Sequence, residues 1–254
     1  MSVTQSPTAS LCTASLKAYL QALQESGMDG IPVTVAGGAP LLPEAALPAA
    51  PGISAKNQHE SLEKIRKDLQ SCQRCGLGKK KKNLVFGAGA SNARLLFIGE
   101  GPEAEEDTKG EPFVGEAGGI LTRVITAMGL KREDIYICNV MKCCLPENRD
   151  LETEEIAACA PFLLRQIRSI HPEVIVALGK CAADTLLNIK EPISKLRGKF
   201  HDYNGIPLMP TYPPSYLLQQ QKQGNLTSFW DVWDDMTQVL RLLKLPVPEK
   251  SRKK

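Results

Sequence analysis

The chain has 254 residues, a formal net charge of +3 and 43% hydrophobic residues. That is enough for one good-sized α/β domain with an appendage, or for two small domains. No apolar run reaches the roughly eighteen residues of a membrane-spanning helix, and the N-terminus lacks the charged and apolar regions of a signal peptide. A cytoplasmic protein with no membrane association is therefore expected, and so small a charge is no argument for nucleic-acid binding.

In chain order, Leu16, Tyr19, Leu20 and Leu23 fall at helical spacing and predict one short amphipathic helix within Leu11 to Gly27. Ile31 to Ser54 is rich in Ala, Pro and Gly and nearly uncharged, as a linker is. Leu62, Ile65 and Leu69 predict a second helix. A basic run, Lys79 to Lys82, follows; it and the C-terminal Lys250, Arg252, Lys253 and Lys254 read first as solvated surface and second as phosphate contacts.

Leu95 to Ile98, ending in Gly99, has the continuous apolar character of a buried parallel strand. Ile120 to Met128 predicts a helix closed by Gly129. Ile135 to Val140 predicts a second strand, Glu154 to Ile170 a long helix, and Val174 to Leu178 a third strand ending in Gly179. Ala182 to Leu187 starts another helix, Leu208 and Met209 belong to a fourth strand, and Phe229 to Leu243 forms a closing helix. Strands alternating with helices predict an α/β fold, a mostly parallel central sheet with helices on both faces. Ligands of such sheets bind at the carboxyl ends of strands, here just after Ile98, Asn139 and Met209. The expected organisation is an N-terminal extension over 1–56, a domain over 57–246 and a basic tail over 247–254.

Eight cysteines in a chain without a secretion signal point to metal or redox chemistry rather than disulfides. Cys72-Gln73-Arg74-Cys75 precedes the first strand, Cys143 follows the second, and Cys159 lies in the next helix. Such a C-x-x-C pair suits a zinc knuckle, a dithiol pair or an iron–sulfur cluster. Its position ahead of the core lowers the dithiol reading. Cys138 and Cys181 read as small buried hydrophobes.

Four segments together are similar to family 4 uracil-DNA glycosylases. They are Cys72-x-x-Cys75-x-Leu77; Gly99-Glu100-Gly101-Pro102 continuing through Glu106-Asp107 to the Gly110 to Gly118 loop; Asn139 to Cys143 with Asn148-Arg149-Asp150 and Glu154 to Cys159; and Thr211 to Leu218. The resemblance runs from Cys72 to Leu218 and implies the uracil-DNA glycosylase fold. It also implies that Cys72, Cys75, Cys143 and Cys159 bind a [4Fe–4S] cluster, chiefly in a structural role.

The implied activity is hydrolysis of the N-glycosidic bond of deoxyuridine in single- or double-stranded DNA, which starts base-excision repair. The base must be taken out of the stack to react. Phe113 would stack under uracil, and the Asn139 carboxamide would pair with its O4 and N3–H. Glu100 would stabilise positive charge on the sugar and orient the attacking water, with Glu106 and Asp107 as secondary candidates. Gly101 and Pro102 would contact the base closely, and Pro213 belongs to the fourth segment of the pocket.

Three residues depart from the family pattern. Pro213 stands where a His usually donates toward uracil O2, Glu103 where Gly is usual, and Gln219 where Arg is frequent. His201 is near enough in sequence to be weighed as a substitute donor. The alternative function is a catalytically weak or inactive descendant acting as a DNA- or partner-binding module, with the N-terminal helix as a docking segment for a protein partner. A monomer is expected.

Overall fold

The computed structural model describes residues 60–79, 81–144, 149 and 151–249. The helix expected within Leu11 to Gly27, the linker, Cys12, His59, Lys80, Asn148, Asp150 and the basic residues from Lys250 onward lie outside the described residues.

Six strands form one sheet: β1 (Ala88–Gly89), β2 (Leu95–Gly99), β3 (Tyr136–Asn139), β4 (Val174–Leu178), β5 (His201–Tyr203) and β6 (Ile206–Thr211). Their order is β1-β3-β2-β4-β6-β5. The inner four run parallel, while β1 and β5 pair antiparallel at the two edges. The chain moves from β2 to β3 on one side and then to β4 on the other, so a crevice opens at the carboxyl end of β2.

The described helices are α1 (Leu62–Gln70), α2 (Ala104–Lys109), α3 (Glu116–Ala127), α4 (Thr153–Ile170), α5 (Lys180–Leu187), α6 (Ile193–Leu196), α7 (Pro214–Lys222) and α8 (Thr227–Leu242). Alternation along the strands divides the core in two. Leu96, Ile98, Cys138, Ile175 and Ala177 pack with Leu163 and Ile167 of α4 and with Ala182, Ala183 and Leu186 of α5. Leu95, Phe97, Ile137, Val174 and Val176 pack with Ile120, Leu121 and Ile125 of α3 and with Met236, Val239 and Leu240 of α8. Covering both faces is why β2, β3 and β4 are buried at every position.

A smaller cluster of Ile65, Leu69, Phe86 and Phe162 ties α1 to α4. Arg165 of α4 reinforces it by bonding Glu60 and Asp68. The Arg74 guanidinium lies 4.3 Å from the centre of the Phe162 ring, so a cation–π contact draws the Cys72–Cys75 segment onto α4.

The structure extends the sequence reading in several places. The second strand loses Ile135, which ends a 3-10 turn, and also Val140, whose N–H still bonds the Gly99 carbonyl at 2.9 Å. Helix α5 begins at Lys180 rather than Ala182. Elements β1, β5, α2, α6 and α7 add to those that the sequence pattern predicts.

Candidate active site and cysteine centre

A cleft of about 630 Å³ opens at the carboxyl ends of β2, β4 and β6. Glu100, Gly101, Pro102, Phe113 and Pro213 all line it, so the structure brings five of the six expected substrate-site residues to one surface. Asn139 lies behind that surface, at the end of β3, and is 1% exposed.

Gly99 is the point where the floor closes. A Cβ there would lie 2.4 Å from Asn139 Oδ1 and 2.5 Å from Phe113 Cζ, so only glycine admits both side chains. Asn139 Oδ1 and Nδ2 are buried without a hydrogen-bond partner. Leaving such a group unpaired costs ~1–3 kcal/mol. A carboxamide with both its donor and its acceptor idle, next to an aromatic ring at a cleft floor, fits a ligand with the complementary pair.

The Phe113 backbone is held under strain. Its φ of 55° is in the left-handed region, which a bulky residue adopts only when its surroundings enforce it. Glu106 supplies one constraint: its buried carboxylate accepts from the backbone N–H groups of Phe113, Val114 and Glu103. Burial raises the Glu106 pKa despite those bonds. Gly118 supplies another, since a Cβ there would meet the Phe113 carbonyl oxygen at 1.9 Å. Arg132 holds the preceding residue, donating to the Pro112 carbonyl at 2.8 Å. Asp107 turns away from the cleft and accepts from the N–H groups of Lys82 and Asn83, which makes it a loop anchor.

The opposite wall is built on β6 and the segments beside it. Tyr212 and Tyr216 face each other at 4.9 Å between ring centres, and both line the cleft with Pro213 and Pro214. Thr211 anchors this wall: its hydroxyl donates to fully buried Asp235 of α8 at 2.6 Å, and its carbonyl accepts from Gly179 N–H at 2.9 Å. Arg197 grips Asp235 with two N–H groups and covers the Tyr212 ring at 5.3 Å. Burial raises the Asp235 pKa against the lowering by Thr211 and Arg197. His201 does not join the wall. It belongs to edge strand β5, and its Nε2 is 2.9 Å from the Leu196 carbonyl oxygen. Among the described residues no histidine lines the cleft.

The cysteines form a separate centre. Cys143 and Cys159 are buried, Cys72 and Cys75 are half-buried, and all four are free thiols. They share one electrostatic neighbourhood, because Cys143 feels Cys159, Cys75 and Cys72, and Cys159 feels Cys75 and Cys72. Burial pushes the Cys143 thiol up to about 12. The Lys142 backbone N–H donates to the Cys159 sulfur. Among the described residues no three His, Cys, Asp or Glu side chains are already closed around the position of a single ion.

Residues 86–237 match the family model of the uracil DNA glycosylase superfamily. The type-4 uracil-DNA glycosylase of Saccharolobus solfataricus is 46% identical over 168 residues, covering 63% of this chain and 78% of the relative. That of Thermotoga maritima is 45% identical over 166 residues, covering 65% and 86%. This chain belongs to the type-4 uracil-DNA glycosylases.

Within this type-4 chain the cleft also contains residues to which the motifs assign no role. Arg149 reaches it while making a two-pronged ion pair with Glu155 of α4, and that pairing holds the Glu155 carboxyl below its ordinary range. Lys180, first residue of α5, stands at the rim and pairs with Asp184. Arg149, Tyr212 and Tyr216 lie within the family segments and were legible as neighbours. Ile193 and Ser194 also line the cleft, and nothing in their local sequence signals it.

Proposed function

We propose that the protein hydrolyses the N-glycosidic bond of deoxyuridine in DNA. The buried Asn139 carboxamide with both polar atoms unpaired carries this reading, because uracil offers an acceptor at O4 beside a donor at N3–H. Cytosine presents the reverse pattern and would leave buried groups unsatisfied. The type-4 relatives, named as uracil-DNA glycosylases, support it.

In the reaction the C1′–N1 bond breaks and its electron pair leaves with the base. Water adds its oxygen to C1′ and gives up a proton, which neutralises the departed uracil anion, so the products are free uracil and an abasic sugar. Phe113 stacks on the flipped base, while Gly101 and Pro102 admit it closely. Glu100, at the cleft surface after β2, stabilises positive charge on the sugar and orients the water. Pro213 shapes the wall without donating a hydrogen bond.

Cys72, Cys75, Cys143 and Cys159 would hold a [4Fe–4S] cluster, and four free thiols in one electrostatic neighbourhood suit that group. When bound, the cluster cross-links the segment ahead of β2 to the β3–α4 region. A weak or inactive variant of the same fold is the second reading, favoured by the absence of a histidine from the described cleft lining.

Incubation with a uracil-containing oligonucleotide and then alkali tests the proposal. Strand cleavage at uracil, and none at cytosine, is expected from brown protein containing about four irons per chain. Intact strands after prolonged single-turnover incubation would favour the second reading.

A further inference from the structure

Lys142 is 0% exposed, one of the largest fully buried side chains in the molecule. Lysine is almost never buried this completely unless its charge is compensated. Among the described residues no Asp or Glu pairs with it. Its Nζ donates to the Asn139 carbonyl oxygen at 2.5 Å and to the Cys138 sulfur. Its backbone N–H donates to the Cys159 sulfur, and its carbonyl accepts from Val85 N–H at 3.0 Å. The next residue is Cys143. Lys142 thus links the unpaired base reader to Cys138 through its side chain and to Cys159 through its backbone, and its positive charge acts on both sulfurs.

Four thiolates around an iron–sulfur cluster bring net negative charge into this interior, which supplies what a buried ammonium without a carboxylate lacks. The same ammonium fixes the backbone of Asn139 at the end of β3. We propose that Lys142 is a positioning residue that provides the buried counter-charge for the cysteine-bound cluster and clamps Asn139, so that filling the cysteine centre and aligning the base reader are coupled. This rests on the cluster and glycosylase readings above.

The test compares anaerobically purified wild type with Lys142→Gln, Lys142→Met and Lys142→Arg. Iron content, reduction potential and single-turnover uracil release are measured for each. A nearby cation favours the more negative, reduced cluster, so Gln and Met should both shift the potential to more negative values, and Arg should leave it near wild type. Gln keeps a donor for the Asn139 carbonyl and should release uracil within a few-fold of wild type. Met should lose roughly tenfold through that missing hydrogen bond.

Wild type without iron would remove the cluster reading and this role together. Iron-replete Lys142→Gln with an unshifted potential would remove the role of Lys142 alone. If Gln and Met lose iron, retention by Lys142→Arg supports the counter-charge, and equal loss in all three variants overturns it.

Discussion

Gly99 and Phe113 approach so closely that a Cβ on the glycine would lie 2.5 Å from the ring Cζ. The same carbon would strike Asn139 Oδ1 at 2.4 Å, so one missing methyl group sets the spacing between stacking face and base reader. Gly99→Ala should displace both, with an overpacking cost of ~1–3 kcal/mol. Melting temperature should fall modestly, iron content should hold, and uracil release should drop at least tenfold, on the order of one lost contact. A normal rate in the alanine variant would mean that base and ring do not meet above Gly99.

The second expectation concerns what the carboxamide reads. Asn139→Asp alters the donor pattern offered to the base edge and should weaken discrimination against cytosine while leaving stacking intact. Phe113→Ala should depress release from every substrate by the ~1–3 kcal/mol typical of base stacking. Competition assays with uracil and cytosine oligonucleotides separate the two. Identical selectivity in Asn139→Asp would place the reader elsewhere.

Glu106 predicts a pH dependence of stability. Burial raises its folded pKa above the ordinary 4.5, so its neutral form is favoured by folding. Its contribution is therefore full below that ordinary value and is lost as pH rises through the higher folded pKa. Glu106→Gln stays neutral throughout, so the destabilisation caused by the substitution should be greatest in acid and shrink toward neutrality. Urea unfolding of both proteins across that interval measures the trend; a gap that widens with pH would contradict it.

Pro213 packs against Gly179, where a Cβ would come within 3.1 Å of the proline Cβ and where φ is +92°. Loss of one preorganised donor to a developing anion costs ~10²–10³ in rate. Pro213→His should restore a donor at this wall and accelerate single-turnover release. His201→Ala should have little effect, because that ring engages the Leu196 carbonyl at the sheet edge. A large loss in His201→Ala, or no gain in a folded, iron-replete Pro213→His, would show that the donor at this position does not limit the reaction.

The inner sheet was legible because β2 and β4 are unbroken apolar runs ended by glycine, the pattern that burial on both faces requires. Strand β6 showed only Leu208 and Met209, since Pro207 and Pro210 interrupt its apolar pattern and proline rarely enters a sheet interior. Edge strand β5 is polar, and its His201 looked available to the pocket until its pairing with Leu208 fixed its place. The cleft residues after β2 and after β6 came from the family resemblance of their segments. What the resemblance did not convey was support from afar: Asp235 lies 24 residues beyond the Thr211 it holds, and Lys142 carries no sequence mark of its burial.

The two antiparallel rims have a consequence for behaviour in a crowded cell. Strand β1 has two residues and β5 has three, so neither border presents a long row of idle amide and carbonyl groups. An incoming extended chain would find too short a template to lengthen the sheet. The aggregation-prone aliphatic strands stay in the middle, walled off by borders too small to recruit a neighbour.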